Sequence, residues 1–429
     1  MFRSLAFVKY LTRYGINPVV ITLDPSSFAD MYDGFVTDET LGRELMEKTS
    51  IVPVPSEKSR RRTRVGEFVS IYFSILGNEV NNWKGNYFRA LPDLIDKYRP
   101  EAIFATVPPF SILPLVLETA NRYKLPLILD FRDAWSQWRV LPYGTRIHYW
   151  LTLGLERKYL SKADAVVATS QQTIEDFKQL HPGIPKSRFH YIPNGYDGAL
   201  EKWEPVNADK QQITIGYVGS FYFSPAAREQ MLKPWWKKRG HRMLQYIPRQ
   251  QDWLYRSPYF FFKALQWLKK LDPVTAARVQ VKFVGKSSQW LEEMISESGL
   301  QDQVHLCGVK PHDEALAFEK ECDILLITSA KRIGGNDYSI AGKTFEYIQA
   351  QKPVLAFVSA GAQKELLEKT GIALICDPDQ GEDSAKKMIR LLNAEMKLEP
   401  DTGFIKSLSR ELLTGSLSDI IKHQILQKR

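Results

Sequence analysis

From residue 101 onward the sequence alternates short apolar runs with helix-length amphipathic segments, and this rhythm restricts the fold more than any other feature. Residues 102–106 read as a strand, 110–124 as a helix and 126–130 as a strand. A helix at 146–161, a strand at 165–169, a helix at 171–180 and a short strand at 190–193 follow. After the polar stretch 197–211 a second series begins, with strands at 213–218, 279–284, 304–306, 323–328, 353–358 and 372–376. Helices at 258–270, 288–298, 312–321, 342–351 and 361–369 stand between them, and 407–427 reads as a final helix. Alternation of this kind predicts parallel sheets covered on both faces. A chain of 429 residues also exceeds one ordinary core. The expectation is an α/β fold of two Rossmann-like domains facing each other across a cleft. The first spans 1–198 and the second 199–406, with 407–429 crossing back to the first.

Three stretches depart from the rhythm. The chain begins on a helix, 2–14, with Gly15 as its C-cap, and only then reaches a strand at 18–23. A doubly wound domain normally opens on a strand and a glycine-rich turn, so the chain reads as starting one strand late or as an atypical fold. Residues 24–100 are less regular. There Lys58, Arg60, Arg61, Arg62 and Arg64 precede the apolar segment 65–77. Such a pair suits a peripheral membrane surface, or equally a solvated loop before a core helix. Finally, 221–257 interrupts the second series. From 231 to 270 there are ten Lys or Arg and one Asp, with Trp235, Trp236, Tyr246, Trp253 and Tyr255 interleaved. Single-stranded nucleic acid, an anionic membrane or lipid-linked acceptor, and a subunit contact all fit that composition.

The stretch 341–357 concentrates the chemistry. Gly342-Lys343 opens a helix, Lys352-Pro353 closes it, and a short buried strand follows. Lys343 and Glu346, three apart in the first turns, can reach one ligand, and the bare helix N-terminus attracts anions. Gly219-Ser220, directly after a strand, lets backbone approach a phosphate. Lys331, Arg332 and Gly334-Gly335-Asn336-Asp337 read as a flexible basic loop facing the same place. In the first half, Asp130-Phe-Arg-Asp-Ala-Trp135 sets three charges at a strand end, where burial is costly without partners. An Arg132–Asp133 surface pair with Asp133 as a helix N-cap is the competing reading.

The net charge of +9 favours an anionic partner, whether phosphorylated small molecule, membrane surface or nucleic acid. Three cysteines without a C-x-x-C support neither a disulfide framework nor a zinc site, and they point to a reducing cytoplasm. The start lacks the pattern of a signal peptide. No run reaches the roughly 18 apolar residues of a membrane span. The seven histidines show no metal spacing, and P-loop, H-E-x-x-H and G-x-S-x-G motifs are absent.

Taken together, Asp130-Phe-Arg-Asp-Ala-Trp135, Ile192-Pro-Asn-Gly-Tyr-Asp197, Gly216-Tyr-Val-Gly-Ser220, Phe283-Val-Gly285 and Gly342-Lys-Thr-Phe-Glu-Tyr-Ile348 stand in the order and spacing of a known family. Over nearly its whole length the chain resembles retaining glycosyltransferases of the GT-B fold, most of all the family 4 type that uses nucleotide-sugar donors. The resemblance implies a donor held by the second domain. Glu346 would bond the ribose, Lys343 would stand near the diphosphate, and Gly219 and Ser220 would line the diphosphate loop. Arg256 and Lys263 would be the basic pair of the leaving group, displaced by the insertion. The acceptor would meet Pro108-Pro109 and Asp130, Arg132, Asp133 and Trp135, with Lys343, Glu346 and Asp133 as the catalytic set. The family's first glutamate, eight positions before Glu346, is Tyr338 here, with Asp337 beside it. The first domain's frequent active-site histidine has no clear counterpart, and the first strand and glycine-rich loop are missing from the start.

The implied reaction moves a sugar from a nucleotide diphosphate to a hydroxyl of a glycan or lipid-linked acceptor in cell-surface polysaccharide biosynthesis. It retains configuration and needs no metal or cofactor. The expected location is cytoplasmic and peripheral on the inner membrane face, with the anionic membrane as a further partner and nucleic acid the least favoured one. A GT-B-like nucleotide-sugar epimerase and a non-catalytic nucleotide- or carbohydrate-binding protein are the alternatives.

Overall fold

The computed structural model describes residues 2–27, 49–57, 76–77, 79–137, 142–238 and 240–428. The basic run at 58–64 and nearly all of the apolar segment 65–77 lie outside them. The chain divides into two compact units. Unit 1 comprises 1–193, 244–248 and 410–429; unit 2 comprises 194–243 and 249–409.

In unit 1, strands β1 (Val19–Leu23) and β2 (Ser50–Val54) pair in parallel as a sheet of their own. A four-stranded parallel sheet runs β3 (Ile103–Val107), β4 (Leu127–Phe131), β5 (Ala165–Ala168) and β6 (Phe189–Tyr191), in that spatial order. Every residue of β4 and β5 is buried, as the continuous apolar runs of inner parallel strands require. Ser170 caps the helix Gln171–Leu180, accepting from the N–H of Thr173, and Thr145 does the same for Arg146–Lys162. Phe7 and Leu11 of the helix Phe2–Leu11 meet Leu417 and Ile421 of the helix Arg410–Lys428. Together they cover Ile128 and Val167 of the sheet and Ile192 just after β6. Gly15 ends the first helix at φ +75°, its N–H bonded to the carbonyl of Thr12, a left-handed cap that glycine adopts without strain.

Unit 2 holds strands β7 (Ile213–Val218), β8 (Gln250–Asp252), β9 (Val279–Val284), β10 (Val304–Leu306), β11 (Ile324–Thr328), β12 (Lys331–Ile333), β13 (Val354–Phe357) and β14 (Ala373–Cys376). Six form a parallel sheet in the order β10-β9-β7-β11-β13-β14, with β7 and β11 at its centre. Its core packs Phe261, Phe262, Leu265 and Leu268 of the helix Tyr259–Leu271 against Met388, Leu391 and Leu392 of the helix Gly381–Leu392. Each such side chain contributes about 1.5–3 kcal/mol of burial.

The rhythm read from the sequence recurs in nearly every strand from 103 onward. It differs in three places. The irregular stretch 24–100 contains the helix Lys84–Tyr98, whose interior Pro92 breaks the sequence pattern. The helix Gly381–Leu392, which opens on Gly-Glu-Asp-Ser, is not among the elements read from the sequence. The expected flexible basic loop after β11 is ordered. Residues 331–333 form β12, which pairs antiparallel with β8 of the insertion. There Arg332 is buried, its Nε 3.4 Å from the Asp337 carboxylate and its guanidinium 4.1 Å from the centre of the Tyr338 ring. A charge with partners that close to it in sequence becomes part of the interior rather than a free ligand arm.

Candidate active site

Parallel strands place their carboxyl ends on one edge, and in unit 2 that edge carries the site. The turn after β7 and the turn after β9 touch there. Gly219 has φ +108° and its N–H bonds the carbonyl of Val284 at 2.7 Å. A Cβ on Gly285 would fall 2.3 Å from the Gly219 carbonyl oxygen, so only glycine permits this approach. A Cβ on Gly219 would in turn lie 3.0 Å from Lys343 Nζ. The Gly219 turn and the lysine are therefore close neighbours.

Lys343 is the first residue of the helix Lys343–Ala350, whose N-cap, Gly342, offers no side-chain hydrogen bond. The residue is half-buried as a whole, while its ammonium is desolvated, 3.5 Å from the centre of the Tyr217 ring. Among the described residues that ammonium makes no hydrogen bond. Tyr217 is itself stacked on Phe221, with centroids 3.9 Å apart, and its hydroxyl donates to the Ser220 carbonyl. Desolvation pulls the Lys343 pKa down to about 7, against the upward pull of Glu319 and Glu346. Tyr347 of the same helix ties it to β7, its hydroxyl accepting from the N–H of Val218 at 3.1 Å.

Glu319 completes the cluster, and the sequence reading missed it. It is 1% exposed on the helix His312–Glu321, and among the described residues its Oε1 has no hydrogen-bond partner. Burial raises its pKa to about 9, with Glu346 adding to the rise and Lys343 opposing it. The signal was present: Ala315, Phe318, Glu319 and Cys322 share one face at helical spacing, and a glutamate there interrupts an apolar stripe.

Of the expected donor residues, Gly219, Lys343 and Glu346 come together. Ser220 is exposed in the same turn. Arg256 reaches the rim, its Nη2 3.5 Å from Ser339 Oγ. Lys263 does not belong to the cluster: it lies on the exposed face of the helix Tyr259–Leu271, over the ring of Tyr259. The insertion, not the helix that follows it, supplies Arg256, and one helical turn and more carries Lys263 past it. Asp337 is 1% exposed and turned inward, accepting from Ser339 N–H and Oγ. An open concavity lined by Phe223, Arg228, Leu232 and Lys237 lies in the insertion and contains none of these residues.

In unit 1 the expected acceptor set separates. Asp130 is fully buried, accepting from Arg3 at 2.8 Å and Thr106 at 3.0 Å. Trp135 is 5% exposed and stacked on Phe110 at 4.7 Å. Asp130 is thus bonded within the interior and Trp135 packed among aromatic rings, and neither side chain is open at the surface. Arg132 and Asp133 are half-buried in the bend after β4, and no helix starts at Asp133. Arg132 donates to the carbonyl of Pro108, and its buried Nε has no hydrogen-bond partner among the described residues.

Two family models match this chain, "Glycosyltransferase Family 4" over residues 5–199 and "Glycosyl transferases group 1" over residues 260–404. The chain belongs to the family 4-type GT-B glycosyltransferases. No curated protein matches it significantly. Solved structures share the fold of this glycosyltransferase at low identity. Sucrose-phosphate synthase from Thermosynechococcus elongatus is 13% identical with a TM-score of 0.58, covering 98% of this chain and 92% of its own. The lipopolysaccharide outer core galactosyltransferase WaaB is 12% identical with a TM-score of 0.53, covering 91% and 88%. Anabaena HepE in complex with UDP-glucose is 17% identical with a TM-score of 0.51, covering 99% and 94%. In this glycosyltransferase the expected fold class holds: α/β, with a parallel sheet in each unit.

Proposed function

We propose that this glycosyltransferase takes a sugar from a nucleotide-diphosphate donor bound at the strand ends of unit 2. The observation that carries the reading is Lys343. A cation that makes no hydrogen bond among the described residues, at an uncapped helix N-terminus and against Gly219, is a seat for an anion. The structural relative crystallised with UDP-glucose supports the donor class. Breaking the bond between sugar and diphosphate builds negative charge on the leaving group. Lys343 and the helix N-terminus stabilise that charge where it develops, without a metal. Arg256 at the rim adds a second cation, and Glu346 accepts from ribose hydroxyls.

The acceptor is a hydroxyl of a glycan or lipid-linked sugar in cell-surface polysaccharide synthesis, on the cytoplasmic side of the membrane. It attacks on the leaving-group face, with a phosphate oxygen taking its proton, so configuration is retained. Arg132 and Asp133, half-buried after β4, are the acceptor-side residues in this reading.

A thermal-shift panel of UDP, GDP, ADP, dTDP and CMP tests the donor site, since a ligand of the native state raises the melting temperature by mass action. One diphosphate is expected to stabilise the wild type and neither Lys343→Ala nor Glu346→Ala. If none does, the donor reading fails. Tyr338, buried beneath Arg332 where the family's first glutamate stands, favours a second reading in which the nucleotide binds without turnover. Release of nucleoside diphosphate from the matching nucleotide sugar, with an acceptor extract present, separates the two.

A further inference from the structure

The helix Arg146–Lys162 of unit 1 presents an unusual face to solvent. Ile147 is 61% exposed, Trp150 56% and Leu151 50%, and they stand at i, i+3 and i+4. Singly exposed apolar residues are ordinary, but three large ones side by side on one helix are not. Further along the same stripe come Gly154, Arg157, Lys158, Ser161 and Lys162, all exposed. Arg146 lies 5.4 Å over the Trp150 ring. The helix has a single acid, Glu156, and it is fully buried, accepting from Ser136 and bonded to His181 Nε2 at 2.8 Å. The solvent face therefore carries four cations, three large apolar side chains and no carboxylate. Arg157 and Lys162 enter no ion pair among the described residues.

We propose that this face is where the protein rests on an anionic lipid bilayer, with Ile147, Trp150 and Leu151 in the interface and Arg157, Lys158 and Lys162 over the headgroups. The charge pattern selects this occupant. A second copy of the chain docking isologously would set the same cations against each other, whereas anionic headgroups complement all four. A tryptophan flanked by aliphatic side chains and arginine also matches the chemistry of the bilayer interface. No helix among the described residues is long and apolar enough to cross a membrane, so the helix lies on the surface. The assignment goes beyond the donor reading and does not depend on it.

The test is co-flotation of the full chain with vesicles of phosphatidylcholine alone and of phosphatidylcholine mixed with phosphatidylglycerol. The wild type floats with the anionic vesicles and not with the neutral ones, and high salt releases it. Charge reversal at Arg157→Glu, Lys158→Glu and Lys162→Glu lowers partitioning by about a hundredfold or more. The triple serine variant of Ile147, Trp150 and Leu151 lowers it as well, with an unchanged melting temperature because these side chains are already exposed. The proposal is overturned if the wild type does not float, or if either variant floats like the wild type, which would put the membrane contact elsewhere. It is also overturned if the wild type is a dimer that the serine variant dissolves while vesicle binding stays absent. None of these readouts uses nucleotide, so failure here leaves the donor site standing, and the reverse.

Discussion

Arg3 with Asp130 in unit 1, and Lys343 with Glu319 in unit 2, both bury charge at the end of a parallel strand, and they do so to opposite effect. Arg3 donates to both Asp130 oxygens and to the carbonyl of Pro193, and Thr106 donates to Asp130 as well. That pair joins the first helix to β4 and to the segment after β6, with its hydrogen bonding made internally. Lys343, half-buried, and Glu319, fully buried, lack equivalent bonds among the described residues. The lysine rests on an aromatic ring, and one glutamate oxygen has no partner among the described residues. A charge that is internally matched acts as a staple, and one left unmatched beside a glycine turn is arranged for a ligand.

The largest effect expected from this contrast is on stability, at the staple. Arg3→Ala leaves Asp130 buried and unmatched and costs about 3–5 kcal/mol, read from urea unfolding followed at unit 1 tryptophans. Lys343→Met does the opposite. It removes a desolvated cation, so unfolding stability in the absence of nucleotide holds or rises, while nucleoside diphosphate binds roughly thirtyfold more weakly or worse. If Lys343→Met destabilises as strongly as Arg3→Ala, the two clusters are alike and the distinction collapses.

The pH dependence sharpens the same point. Lys343 in the free protein titrates at about 7, and a bound diphosphate raises that value, so binding takes up a proton above pH 7. Affinity should be flat below pH 7 and fall by up to about tenfold per unit above it. Lys343→Arg, which keeps its charge, should flatten the profile. Glu319 is shifted the other way, upward, and its effect is on folding. Its folded value of about 9 lies above its unfolded value, so the native state holds more protons than the unfolded state across the interval between them. The wild type should therefore lose stability relative to Glu319→Gln between pH 5 and 7, by at most about 1.4 kcal/mol per unit. A melting-temperature difference that does not change with pH would mean Glu319 is not buried as a proton-holding group.

These clusters also mark where the sequence is legible. Strands such as β7, β9, β11 and β13 announce themselves as apolar runs because both faces of the sheet are covered, and Gly219, Lys343 and Glu346 stand at their ends in a spacing that local pattern exposes. What local pattern cannot show is the long-range match. Arg3 and Asp130 are 127 positions apart, so Asp130 reads as a free strand-end charge until the first helix is seen beside it. Arg332 reads as a flexible ligand arm until β8, from the insertion, pairs with its strand. Glu319 is the converse case, a charge set in an apolar helix stripe, whose role shows only when the helix His312–Glu321 is seen packed on β7.

The smallest effect expected separates Arg256 from Lys263, the two cations that the family pattern pairs. Arg256 approaches Ser339 beside the buried Asp337, and its backbone carbonyl accepts from the hydroxyl of Thr328, the last residue of β11, at 3.0 Å. Lys263 is exposed, over Tyr259 and facing the start of the helix Gly381–Leu392. Screened by water, a surface ammonium outside the cluster contributes little to a bound diphosphate. Lys263→Ala should leave diphosphate affinity within about twofold of wild type, and Arg256→Ala should lower it by roughly tenfold, the loss of one charge-assisted bond at a partly exposed rim. Equal losses from both substitutions in a titration at moderate salt would mean that the two cations share the ligand. The donor site would then extend from Gly219 along the helix Tyr259–Leu271, instead of closing on Lys343 and Arg256.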